Sequence, residues 1–182
     1  MNNYYTLQLT NNARLQFFSE QSVSEKFDDV TVFFEDNAGK IVVFKDILQE
    51  AIITLYNGLE NQFELRTDIE VGHLGEYYNI WANSLDDMLE EDEEEEIPVL
   101  NYWIWSTRDF QTWIYRKNEK VFIEISPSYR WHYVEPTEDE KIISFEEFQE
   151  YYCAYIIELS SEQINDMIES LEMMKTKLKI SC

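Results

Sequence analysis

The chain has few of the residues from which reactive and metal-binding sites are usually built. Its 182 residues include four glycines, three prolines, two cysteines and two histidines. Four glycines leave little material for a phosphate-binding loop, and no Walker loop, dinucleotide fingerprint or nucleophile elbow is present. His73 and His132 belong to no spacing typical of metal or triad chemistry. We therefore expect a protein that is not an enzyme and that needs no cofactor and no metal.

Cysteines and long apolar runs are also scarce. Cys153 and Cys182 alone give no disulfide framework, and this fits a reducing compartment. The polar start "MNNYYTLQLTNN" does not resemble a signal peptide, and no apolar run approaches the roughly 20 residues that span a bilayer. The sequence predicts a cytoplasmic protein.

Basic residues are few compared with acidic ones. Fourteen Lys and Arg face 37 Asp and Glu, so the formal net charge is −23. Such a surface should repel nucleic-acid phosphates and anionic lipid heads, which argues against direct binding to nucleic acid or membranes. It favours a basic protein partner, although acidity also serves solubility. Hydrophobic residues make up 45% of the chain, enough for a packed core, and the length suits one domain spanning residues 1–182.

The negative charge is concentrated in one part of the chain. Sixteen acidic residues and a single base, Arg66, lie between Asp46 and Thr107, a local charge of −15. Nine of these acids form a run at the expected end of a helix, where they oppose the helix dipole. The run is either a solvated loop or a contact surface for a basic partner, and it lacks the ligand pattern of an EF-hand. As a contact surface it comprises Asp86, Asp87, Glu90, Glu91, Asp92, Glu93, Glu94, Glu95 and Glu96.

Alternating apolar and polar residues predict several strands. Two open the chain, and "VTVFFED" and "KIVVFKD" form a hairpin in which Gly39 is expected to supply a positive φ. Further strands are predicted at residues 63–71, 99–106, 111–116 and 120–125 and in "YIIEL".

Helical spacing of apolar residues predicts four helices. The first is capped by Asp46 and ends near Gly58, and the second covers about residues 76–90. A short helix follows Ser144, and an amphipathic C-terminal helix follows a capping box formed by Ser160 and Gln163. Because the strands come in runs with short connections, we predict an α+β fold with a largely antiparallel sheet, helices packed against it and an amphipathic C-terminal helix.

Residues 101–125, "NYWIWSTRDFQTWIYRKNEKVFIEI", combine tryptophans, tyrosines and charged side chains. Strand alternation places Trp103 and Trp105 on one face of the strand at residues 99–106. Two interpretations remain open. The strand is central and covered on both sides, or one tryptophan face is partly exposed as a contact surface. Under the second interpretation, Trp103 and Trp105 bind the partner.

The block "WSTRDFQTWIYRKNEKVFIEISPSYRW", followed by "ISFEEFQEYY" and the amphipathic C-terminal helix, resembles small acidic bacterial proteins encoded beside polymorphic or contact-dependent toxins. Such proteins look like immunity factors. The resemblance covers the chain from about Tyr102 to the C-terminus, and its motif is structural. It implies stoichiometric binding and inhibition of a cognate toxin, and it transfers no functional residue.

The sequence therefore predicts a non-catalytic acidic protein that inhibits a basic protein partner, most closely a toxin-neutralising immunity protein. The alternative is a nucleic-acid mimic from a phage or mobile element, of the anti-restriction or anti-CRISPR type, whose carboxylates imitate phosphates. Competition by DNA or RNA separates the two, because a mimic occupies the site that nucleic acid would fill.

Overall fold

Within the residues that the structure describes, eight strands form two four-stranded antiparallel sheets. The computed structural model describes residues 2–20, 22–88, 99–132 and 140–180, with the side chains of residues 85–88 and 132 left out. The first sheet contains β1 (Asn2–Thr10), β2 (Ala13–Ser19), β3 (Asp29–Glu35) and β4 (Lys40–Ile47). The second contains β5 (Trp103–Ser106), β6 (Phe110–Lys117), β7 (Lys120–Pro127) and β8 (Tyr155–Leu159).

In the described part of the chain, four α-helices accompany the sheets and complete the predicted α+β fold. They are α1 (Leu48–Asn61), α2 (Leu74–Met88), α3 (Phe145–Glu150) and α4 (Ser161–Leu178). Helix α2 begins two residues before its predicted start. All strand pairs within the two sheets are antiparallel, so the predicted fold class, including the C-terminal helix, is confirmed.

The architecture consists of two units with the same element order. β1 to β4 are followed by α1, and β5 to β8 are followed by α4, with α2 inserted between the units and α3 inserted between β7 and β8. β1 lies against β8, and β4 lies against β5. Helix α1 packs on α4 and β5, while α4 packs on α1 and β1. The contacts of one unit are thus repeated by the corresponding elements of the other, a correspondence that no sequence repeat had indicated.

The main core lies between the inner faces of the two sheets and includes one side of α1 and of α4. Leu15, Phe17 and Val32 come from the first sheet, and Ile123 and Ile125 from the second. Helix α1 contributes a stripe with helical spacing, Leu48, Ala51, Ile52, Leu55 and Leu59. Helix α4 contributes Ile164, Met167, Leu171, Met174 and Leu178. Full burial of each large apolar side chain is worth about 1.5–3 kcal/mol, so this shared core holds the units together.

The beginning of α4 follows its sequence prediction. Ser160 Oγ accepts a hydrogen bond from Gln163 N at 3.2 Å, and Gln163 Oε1 accepts one from Ser160 N at 2.7 Å. Both halves of the predicted capping box are therefore present. Lys175 and Lys177 lie in the last turn, where positive charge is favourable to the helix dipole.

Helix α1 departs from its prediction at both ends. Its N-cap is Ile47, not Asp46, and the first backbone N–H groups donate to the carbonyls of residues 26 and 28. Gly58 lies inside the helix, which continues to Asn61. A Cβ at Gly58 would overlap the Ile104 side chain. Tight packing of α1 on β5 therefore explains this glycine.

The hairpin between β3 and β4 also closes differently. Among the described glycines only Gly72 has a positive φ, so the prediction for Gly39 was wrong. Asp36 Oδ1 instead accepts hydrogen bonds from the N–H groups of Ala38 and Gly39 at 2.8 and 3.1 Å. An Asp side chain that accepts from the following backbone closes this turn.

The strand predicted at residues 63–71 does not form. Glu64 makes an isolated bridge with Arg116, after which the chain enters turns that lead to α2. Leu65 and Ile69, which alternation placed on one strand face, are both buried in a second core cluster. Turns that carry the chain across the second sheet bring Leu65 and Ile69 to buried positions, as a strand would also have done. Alternation alone therefore did not identify the conformation.

Candidate functional site

A β-bulge separates the two predicted contact tryptophans. Trp103 pairs with Trp113, and the register shifts before Trp105 pairs with Thr112. Trp103 therefore packs with the cluster on the outer side of the second sheet, while Trp105 enters the main core. The prediction that they share a face was wrong, because a bulge adds one residue and reverses the alternation.

Their exposure differs accordingly. Trp105 is 2% exposed, and its indole Nε1 donates to Thr54 Oγ1 at 2.8 Å, so its side chain belongs to the core. Trp103 is half-buried, with its ring centroid 5.5 Å from that of Trp113 and 5.2 Å from that of Tyr78. Of the two, only Trp103 retains surface that a partner can reach.

The predicted acidic contact residues lie largely outside the described residues. Glu90, Glu91, Asp92, Glu93, Glu94, Glu95 and Glu96 all fall between residues 88 and 99. Asp86 and Asp87 belong to the last turn of α2, and the structure describes only their backbone. The role of this run stays a prediction.

The outer face of the second sheet, which we call the covered face, lies beneath the segment 65–81. Trp113, Tyr115 and Phe122 project from β6 and β7, and Leu65, Ile69 and Leu74 pack over them. Tyr78 in α2 contacts Trp113 with ring centroids 5.5 Å apart. This side of the sheet is a second core.

The covered face contains a buried carboxylate, Glu124. Its side chain is fully buried and accepts hydrogen bonds from Gly75 N at 2.8 Å, Leu74 N at 3.4 Å and Tyr115 Oη at 2.7 Å. Burial raises the pKa of Glu124, while the hydrogen bonds from Gly75, Tyr115 and Leu74 oppose that rise. The carboxylate caps the start of α2 from a neighbouring strand.

The sequence analysis did not single out Glu124. The available signal was one acidic residue inside the apolar strand "VFIEIS". Gly75 is the matching signal on α2, because a Cβ there would overlap the Ser126 side chain. The pair marks where helix and strand approach closely.

The outer face of the first sheet, which we call the open face, differs from its counterpart. Phe18 and Phe33 meet edge to face with ring centroids 5.4 Å apart, and Lys40 Nζ lies 4.3 and 4.4 Å from the two centroids. Arg14 and Lys40 both pair with Glu35. Helices α1 and α4 occupy the inner side and α2 the second sheet, so no helix in the described part of the chain covers this face.

A groove of about 590 Å³ opens where the open face meets Glu20 and the loop at residues 22–28; we call it the sheet-end groove. Phe18, Phe27 and Val30 supply its apolar walls. Its charged lining consists of four carboxylates, Glu20, Asp28, Asp29 and Asp46, and one ammonium, Lys45. Phe27 is 60% exposed. The groove is therefore aromatic, open and net negative.

A second groove of about 410 Å³ lies where β4 meets β5; we call it the junction groove. Phe44, Trp103 and Leu100 are among its apolar lining, and Glu50 adds a carboxylate. Lys45 and Asp46 line both grooves, so the two adjoin. Leu100, which is 60% exposed, follows the predicted acidic run by four positions in the sequence.

Together the adjoining grooves place five carboxylates and one ammonium around aromatic walls. Of the described side chains, no group of three or more His, Cys, Asp or Glu has a geometry that could hold a metal ion. Among the helices described, none is long and apolar enough to cross a membrane. The arrangement is suited to holding cationic groups by charge and stacking.

Comparisons with protein-family models, with curated proteins and with solved structures found no match for this chain.

Proposed function

We propose that this protein is a non-catalytic, acidic inhibitor of a basic protein, and more specifically a toxin-neutralising immunity protein. The observation that carries the proposal is the pair of adjoining grooves, in which five carboxylates and one ammonium surround aromatic walls that include the exposed Phe27 and the half-buried Trp103. Such a surface attracts a basic partner at long range and offers apolar area for tight contact.

The net charge of −23 supports fast association with a basic protein. Complementary charge raises association rates, while desolvated aromatic contacts slow dissociation. Phe27, Leu100 and Trp103 supply such apolar contacts at the two grooves. Charge and aromatic surface therefore act on different steps of binding.

The buried carboxylate Glu124 is occupied by contacts within the fold. Glu124 is fully buried, and its two oxygens accept three hydrogen bonds from Gly75, Leu74 and Tyr115. A general acid or base must reach the proton it transfers, and this carboxylate is occupied by the start of α2. We assign Glu124 to the structure of the covered face.

Copurification from the native host tests the proposal. The tagged protein is captured at moderate salt, and bound proteins are identified and quantified by mass spectrometry. We expect one basic protein in equimolar amount, with its activity inhibited in the complex. Repeated recovery of no basic protein under these conditions would contradict the proposal.

The nucleic-acid mimic is tested on the same complex. Duplex DNA and single-stranded RNA are titrated against the captured complex at constant ionic strength. An inhibitor that binds away from a nucleic-acid site keeps its partner, whereas displacement by either polymer at stoichiometric amounts favours the mimic.

The acidic run is tested by neutralisation. Changing Glu93, Glu94, Glu95 and Glu96 to Gln should weaken partner binding without lowering thermal stability, because the run opposes the helix dipole. Glu162, Asp166, Glu169 and Glu172 on the outer side of α4, changed to Gln or Asn, form a control with equal charge loss. Unchanged affinity in the first variant would remove the run from the interface.

A further inference from the structure

We propose that the sheet-end groove is the docking site for an arginine side chain of the basic partner. This inference rests on the proposed function and assigns the contact to one place on the molecule. It concerns described residues outside the predicted acidic run, none of which the sequence had indicated as partner-binding.

The correspondence between the two units shows what the open face lacks. On the second sheet, Trp113, Tyr115 and Phe122 are packed beneath the segment 65–81. On the first sheet, the corresponding outward aromatics are Phe18 and Phe33, and both remain partly exposed. The first sheet therefore carries an aromatic face to which the described chain supplies no covering segment.

The aromatic rings of the open face already hold cations. Lys40 Nζ lies 4.3 Å from the ring centroid of Phe18 and 4.4 Å from that of Phe33, and beside the groove Lys26 Nζ lies 5.0 Å from the centroid of Phe27. Phe27 nevertheless keeps 60% of its surface exposed. A further cation has room to stack on Phe27 at the mouth of the groove.

Of the four carboxylates that line the groove, two accept hydrogen bonds from neighbouring backbone N–H groups, and two accept none from the described residues. Asp28 Oδ2 accepts from the N–H groups of Ser24 and Glu25 at 2.7 and 2.9 Å, and these bonds lower the pKa of Asp28. Asp46 Oδ1 accepts from Ile47 N at 2.8 Å. The carboxylates of Glu20 and Asp29 are exposed and have no hydrogen-bond or ion-pair partner among the described residues.

The combination of ring and carboxylate favours arginine over lysine. A guanidinium is planar, stacks on an aromatic face and binds a carboxylate through two parallel N–H groups at once. Phe27 supplies the ring, and Asp29 or Glu20 supplies the carboxylate. Lysine presents a compact, strongly hydrated charge that has neither the planar face nor the two parallel N–H groups of a guanidinium.

Substitution of Lys45 should raise the affinity for arginine, whereas the substitutions of Phe27 and Asp29 should lower it. Among the described residues that line the groove Lys45 is the only cation, and none of the described residues forms an ion pair with it. Its charge opposes an arriving guanidinium, so its removal should strengthen binding. A gain of affinity is a result that damage to the fold does not produce.

The experiment uses fluorescent hexa-arginine and hexalysine peptides with the full chain at physiological salt. Dissociation constants are measured by anisotropy for wild type, Asp29→Asn, Phe27→Ala, the double variant and Lys45→Gln. We expect hexa-arginine to bind more tightly than hexalysine, with about three-fold loss for each single variant and about ten-fold for the double. Lys45→Gln should bind about three-fold more tightly.

Each variant has a control that changes the same chemistry elsewhere. Asp166→Asn removes an exposed carboxylate from α4, Phe63→Ala removes an aromatic side chain that is 43% exposed, and Lys141→Gln removes an exposed ammonium. All three should change the hexa-arginine dissociation constant less than two-fold. Equal effects in groove and control variants would show that the peptide follows net charge, and the inference would be overturned.

The variants are also measured against the captured basic protein. If that protein binds wild type and the double variant equally, the groove inference fails while the proposed function stands. If no basic protein is captured, the proposed function fails, and the hexa-arginine comparison still decides whether the groove selects arginine.

Discussion

The outer faces of the two sheets have related positions and opposite surroundings. The covered face lies beneath the segment 65–81, and its central side chains, Trp113, Tyr115 and Glu124, are fully buried. The open face carries Phe18 and Phe33 with Lys40 across them. One architecture therefore provides a second core on one sheet and a reachable aromatic surface on the other.

The polar groups of the two faces show the same difference. Glu124 on the covered face is held by three donors away from solvent. Glu35 on the open face pairs with Arg14 and Lys40, and all three side chains are partly exposed. Buried carboxylates need such partners, whereas exposed ion pairs contribute little to stability. Substitutions on the covered face should affect folding, and those on the open face should affect binding.

The largest effect is expected for a matched pair of phenylalanines on equivalent strands. Phe122 in β7 is 8% exposed on the covered face, and Phe33 in β3 is partly exposed on the open face. Phe122→Ala should lower the free energy of unfolding by about 3 kcal/mol and Phe33→Ala by about 1 kcal/mol, because only the first leaves an enclosed cavity. Urea unfolding measures both. Equal losses would contradict the distinction between the faces.

A matched pair of glycines tests how closely α2 approaches the covered face. A Cβ at Gly75 would overlap the Ser126 side chain, while nothing lies within 4 Å of one at Gly39. Gly75→Ala should destabilise the protein by about 2 kcal/mol through overpacking, and Gly39→Ala by less than about 0.5 kcal/mol. Thermal and urea unfolding provide the measurement. A tolerated Gly75→Ala would mean that α2 is packed more loosely than described.

The buried carboxylate predicts a pH dependence. Burial raises the pKa of Glu124 in the folded protein above the ordinary value of 4.5, so the folded state keeps a proton that the unfolded chain has lost. Its contribution to stability therefore falls as the pH rises from 4.5 toward the raised value, and is constant above it.

Glu124→Gln removes this titration while keeping the shape of the side chain. As the pH rises above 4.5, the unfolding free energy of wild type should fall relative to that of the variant. A wild-type advantage that grows with pH would contradict the description of Glu124.

The smallest effect on folding is expected in the sheet-end groove. Asp29 is exposed and unpaired among the described residues, so Asp29→Asn should change the unfolding free energy by less than about 0.5 kcal/mol. Calorimetry of this variant beside Asp166→Asn measures the effect. A loss above about 1 kcal/mol would indicate that the carboxylate is part of the fold.

Local chemistry allowed much of the secondary structure to be predicted. The capping box at Ser160 and Gln163, followed by a regular apolar stripe, defines α4 because both signals are local. The hairpin of β6 and β7 turns through Asn118 and Glu119, which both adopt positive φ. Alternation had predicted both of these strands, at residues 111–116 and 120–125.

Features that depend on distant parts of the chain were not predictable in the same way. Gly58 resembled a helix end, but its small size serves contact with Ile104. The bulge between Trp103 and Trp105 reverses a face that alternation had assigned. The role of Glu124 is evident only once the fold has placed the start of α2 against its carboxylate. The open face is left uncovered because the segment 65–81 packs on the other sheet. No local sequence pattern indicates which sheet that segment covers.

Hydrogen exchange of the complex purified from the native host tests the central claim most directly. We expect the partner to slow amide exchange in residues 18–31 and 45–50, which border the sheet-end and junction grooves, and to leave residues 110–126 of the covered face unchanged. Protection confined to the covered face or to α4, with none at the grooves, would contradict the account.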